Sequence, residues 1–158
     1  MKIIKFKLFN VPEKVFKVVA VPYDENYGYR AFQKKQHEKG NRQIIINTEL
    51  MIRLIDIFVN SYRLKIVNLK MMEADAELEN EIKHLINSNN ANLLIKYLSV
   101  LAECSSIDIE YLKLGGRISN KVAVSFFIQS NGILGVNEEA KKEMLTLIEK
   151  TTREYFSV

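Results

Sequence analysis

Apolar and polar residues alternate from Ile3 to Phe9, with Ile4, Phe6 and Leu8 on one face and Lys5 and Lys7 on the other. A period of two marks a strand with one buried face. Asn10-Val11-Pro12-Glu13 is turn chemistry, proline fixing φ and removing a donor. A second strand is expected over Lys14–Val21, closed by Pro22. The pair reads as an antiparallel hairpin with lysines on its outer face. Alternation then stops. Residues 23–42 form the longest polar stretch, and a structureless loop of that length is uncommon in a compact domain. Its middle, Arg30–Glu38, can instead form a short helix, and the isoleucines of Gln43–Asn47 fit a short buried strand.

From Thr48, read as a helix cap, the period changes. Met51, Leu54, Ile55, Phe58 and Tyr62 recur at helical spacing, and the additional apolar Leu50, Ile52, Ile57 and Val59 make this the expected central helix. Leu64–Lys70 returns to strand alternation. Helices follow at Glu73–Ile86 and Asn92–Cys104, then strands at Ile107–Leu114 and Lys121–Ile128. Gly115-Gly116 is the expected hairpin turn between those strands, with Ser119-Asn120 as a rival that shifts the register. Asn131-Gly132 marks another turn, and Asn137 is expected to cap a last helix whose stripe is Ala140, Met144, Leu147, Ile148 and Tyr155. The order reads ββ(loop)βαβααββα: an α+β protein, a largely antiparallel sheet with about four helices. One domain is expected over 1–158, with a polar loop or short-helix insertion at 23–42.

Composition narrows the class. At 47% hydrophobic and 27% charged residues the chain is expected to fold rather than remain disordered. The N-terminal stretch lacks the apolar core of a secretory leader, and the run Leu50–Val59 is broken by Arg53 and Asp56, so a soluble, cytoplasmic protein with no membrane partner is expected. The one cysteine, Cys104, is expected to be a small buried residue near a helix end. With only His37 and His84 to assist it, no multi-cysteine zinc site can form, and no cofactor fingerprint is present, so neither metal nor cofactor is expected. Lysine far outnumbers arginine, and Ile and Asn are abundant, a mix that AT-rich coding produces and that points to a low-GC bacterium or its phage.

Charge supplies the functional clue. Between Met1 and Gln43 stand ten Lys/Arg against four acids, a net +6, and the remainder carries −2. Such asymmetry marks a surface for polyanions or an acidic partner. The candidate nucleic-acid-binding residues are Lys5, Lys7, Lys14, Lys17, Tyr27, Tyr29, Arg30, Lys34, Lys35, Lys39 and Arg42. Lysines supply point charges and arginines planar forks for phosphate, while tyrosines offer faces for unstacked bases. The leading expectation is a non-enzymatic binding protein, engaging RNA or a nucleoprotein through the basic N-terminal hairpin and loop. The alternative is a protein-interaction or inhibitor module, phage-encoded and directed at a host or defence protein, with the alternating acids of Glu73–Glu81 as a further contact surface. A third is a metal-independent ribonuclease centred on His37, since RNA cleavage needs a base, an acid and cations around the phosphorane.

Overall fold

The computed structural model describes residues 1–11, 16–119 and 121–157. Among them, strands β1 (Ile3–Val11), β2 (Lys17–Pro22), β3 (Arg42–Gln43), β4 (Lys65–Met71), β5 (Ile109–Ile118), β6 (Val122–Gln129) and β7 (Ile133–Asn137) build one sheet in the order β2-β1-β7-β6-β5-β4, with β3 also pairing β1. Every pairing is antiparallel. The helices are α1 (Tyr29–Glu38), α2 (Thr48–Ile55), α3 (Ala76–Asn87), α4 (Ala91–Glu103) and α5 (Lys141–Phe156). The α+β class with an antiparallel sheet stands as read, with five helices rather than four because the polar insertion contains α1.

Helices α2 to α5 cover one face of the sheet. There Phe6 and Leu8 of β1, Leu112 and Leu114 of β5, and Val124, Phe126 and Ile128 of β6 meet Leu50, Met51, Leu54 and Ile55 of α2, Leu98 of α4 and Met144 and Ile148 of α5. Beyond Ile55 the helix widens into a π-turn over Asp56–Ser61, which seats Phe58 against Phe126 at 5.7 Å between ring centroids. The caps follow short polar side chains. Asn47 Oδ1 accepts from Leu50 N at 2.8 Å, so Asn47 rather than Thr48 caps α2. Thr48 Oγ1 instead accepts from Ile109 N at 3.1 Å and ties α2 to β5. Asp75 caps α3 through Leu78 N at 2.8 Å, which starts that helix later than its acidic run begins.

Further expectations are corrected. The β5–β6 hairpin does not turn at Gly115-Gly116: both pair with β6, against Ser125 and Val124, and the last pair is Ile118 with Val122. Continuing the strands buries Ile118, and the glycines make room for β4, where Val67 Cγ2 would stand 3.2 Å from a Cβ on Gly115. Ile133–Asn137, given no element by periodicity, is the strand between β1 and β6. Asn137 stands at the N-cap position of the 3-10 turn Glu138–Ala140 that leads into α5, but its side chain makes no capping hydrogen bond. Its side chain extends the ladder, accepting from Ser125 N at 2.9 Å and donating to Ala123 O at 2.8 Å. Cys104 is exposed at the end of α4 rather than buried.

The turn at Asn131-Gly132 is present. Gly132 has φ of +82°, and a Cβ there would lie 2.5 Å from Ile44 O, so both the dihedral and the close backbone require glycine. Ile44 and Ile46 are buried as expected, but only Arg42–Gln43 pairs as strand. No helix among the described residues is long and apolar enough to cross a membrane.

Candidate nucleic-acid interface

Among the described residues, the second face of the sheet is covered at its β1 end, by α1. Phe9 points to that face, and Phe32 of α1 packs on it at 5.8 Å and on Tyr23 at 5.1 Å. The sequence produces this docking because Phe32 and Gln36, four residues apart, are the buried pair of an otherwise polar helix.

This arrangement corrects the reading of the hairpin lysines as one solvated row. Lys7 shares the Phe9 face and is fully buried beneath α1. Its Nζ donates to Asn131 O and lies 5.7 Å from the Tyr29 ring centroid and 5.9 Å from that of Phe9. Loss of water around the ammonium lowers its pKa from 10.5 to about 8. A group so enclosed does not reach phosphate. Lys5, at the rim, is ion-paired with Glu25. Lys17 is exposed at the start of β2, and its charge opposes the effect of burial, which raises the Glu149 pKa. Lys14 lies outside the described residues.

The cations of the insertion are placed differently. Arg30, Lys34 and His37 recur at i, i+4 and i+7 on the face of α1 away from Phe32, Lys35 and Lys39 flank them, and Arg42 follows in β3; all are exposed. Among the described residues, none of Arg30, Lys34, Lys35, Lys39 or Arg42 makes an ion pair. Tyr27 stands 66% exposed in the short 3-10 turn before α1. Tyr29 accepts a hydrogen bond from Gln33 Nε2 at 3.2 Å, and burial, with the nearby Tyr23, raises its pKa. The His37 side chain makes no hydrogen bond among the described residues. No group of three or more His, Cys, Asp or Glu converges for a metal among the described residues.

Sequence reasoning missed the rest of that face. The register sets Lys70 opposite Tyr111, Lys113 opposite Phe127 and Phe127 opposite Gly135. Tyr111 and Phe127 stack at 5.7 Å with 22° between their planes, and Lys70 Nζ is 5.4 Å from the Tyr111 centroid. A Cβ on Gly135 would collide with the Phe127 ring, so that ring occupies the space over Gly135 of β7 that a side chain would fill. One signal was available: in β6 the solvent phase Ala123, Ser125, Phe127, Gln129 contains a single aromatic among small and polar residues. Comparison of the chain with protein-family models, with curated proteins and with solved structures gives no match.

Proposed function

We propose that the protein is a non-enzymatic nucleic-acid-binding protein, taking RNA or a nucleoprotein through the cationic module of α1 and β3. The carrying observation is the set Arg30, Lys34, Lys35, Lys39 and Arg42, exposed together and without ion pairs among the described residues. Exposed bases held on a docked helix bind phosphate at little further ordering cost, and the arginines can do so bidentately. Five contacts on a single strand predict a log–log salt dependence of about −3.5. Fluorescence anisotropy with labelled single-stranded RNA across a salt series tests this. Replacing Arg30, Lys34, Lys35 and Lys39 by Ala should flatten the slope to about −0.7. No binding at low salt, or an unchanged slope in the variant, overturns the reading.

A protein partner is the second reading. Leu93 and Val100, seven residues apart on α4 and 48% and 53% exposed, favour it as anchors for a partner's groove. A salt-insensitive complex blocked by Leu93→Lys would support it in place of RNA.

A further inference from the structure

Beyond the edge of α1, no helix among the described residues lies over the sheet face of β4, β5 and β6. A strand face left open on one side of an antiparallel sheet is ordinarily polar. This one holds the half-exposed Tyr111–Phe127 stack, with Lys65, Lys70, Lys113 and Arg117 around it. Following the register outward from the stack, the facing positions include Gln129, Asn68, Ser125 and Gly115, and no Asp or Glu occupies any of them. Glu110 sits at the β4–β5 bulge, at the rim. The face is therefore positive and aromatic at once.

Resting on the nucleic-acid reading above, we infer that this open face is a stacking platform for the bases of a single strand, with Tyr111 and Phe127 as its floor and the α1 cations as the phosphate rail. The two parts lie on the same side of the sheet, since Lys7, beneath α1, shares the face of Gly135 and Ile133 in β7, and β5 lies three strand spacings from β1, about 14 Å. A few nucleotides span that distance. Stacking needs a rigid π-face and no fixed partner, and Gly135 leaves room for the Phe127 ring where a larger residue would displace it. Beside the stack a shallow cleft bordered by Lys70, Tyr111, Gln129 and Asn131, with the Glu110 carboxylate at its rim, brings an amide within reach of a base edge. A duplex, whose bases are already stacked on one another, gains nothing from such a floor.

The test uses the full chain and a labelled homopolymer strand of about ten nucleotides, in RNA and DNA forms, with the matching duplex as competitor. Tyr111→Leu and Phe127→Leu keep apolar bulk and remove the ring. Each should weaken single-strand binding about 5- to 150-fold while leaving the salt slope of the parent in place. The α1 charge variant should show the opposite pattern. A strand carrying 2-aminopurine should be quenched on binding the unaltered protein, which keeps the inference testable if a leucine variant fails to fold. Full affinity in both leucine variants, undimmed 2-aminopurine, or equal binding of duplex overturns the platform and leaves the α1 reading standing. Failure of the parent to bind any strand overturns that reading itself.

Discussion

Lys7 shows how one residue can be read correctly and placed wrongly. Its alternation with Phe6 and Leu8 identifies the strand, and a lysine in the opposite phase is the usual sign of water. The side chain is instead enclosed by a helix that arrives from the polar insertion, a contact no local pattern encodes. Between pH 8 and 10.5 the unfolded chain holds a proton on Lys7 that the folded protein has released, so stability rises with pH across that window. Below pH 8 the cost of enclosing the charge is present in full. In Lys7→Met that rise should vanish, and at pH 7 the variant should be more stable by about 1 kcal/mol, the bare Asn131 carbonyl offsetting part of the gain. Denaturant unfolding of both proteins across pH 7 to 10.5 checks this, and parallel profiles would show that Lys7 keeps an ordinary pKa.

Elements were legible where one face is wet and the other dry. β1, β4 and β6 and the helices fall near their expected places because apolar residues recur along their sequences at the strand or helix period. β7 was hidden for the opposite reason. All five of its residues are buried, so it has no polar phase, and Gly135 reads as a breaker although it is required beneath Phe127. The stacking pair was likewise obscured, since Tyr111 and Phe127 come together only once β5 and β6 pair past Gly115-Gly116. α1 is attached chiefly through Phe32, which meets Phe9 and Tyr23. Phe32→Ala should therefore cost about 3 kcal/mol in denaturant unfolding. An unchanged unfolding midpoint would show that α1 is not part of the cooperative unit, and the phosphate rail would then lack a rigid base.

At the scale of the whole molecule, the sheet is stitched through its middle by partners distant in sequence: Ile3 opposite Asn137, Lys7 opposite Ile133. Central strands open only with the whole structure, whereas edge strands fray. Backbone amides of β1 and β7 should thus be the last to exchange in deuterium, well after the outer strands β2 and β4, as mass spectrometry of peptides would resolve. Equal rates would mean the sheet opens as two halves. The same stitching sets an order of events in the cell. β1 ends at Val11 and β7 at Asn137, and a ribosome adds roughly 5–20 residues each second. β1 consequently spends roughly 6–25 s with its β7 side unpaired, an interval in which a nascent-chain chaperone can occupy the bare backbone. The centre of the sheet is among the last parts of it that translation allows to close.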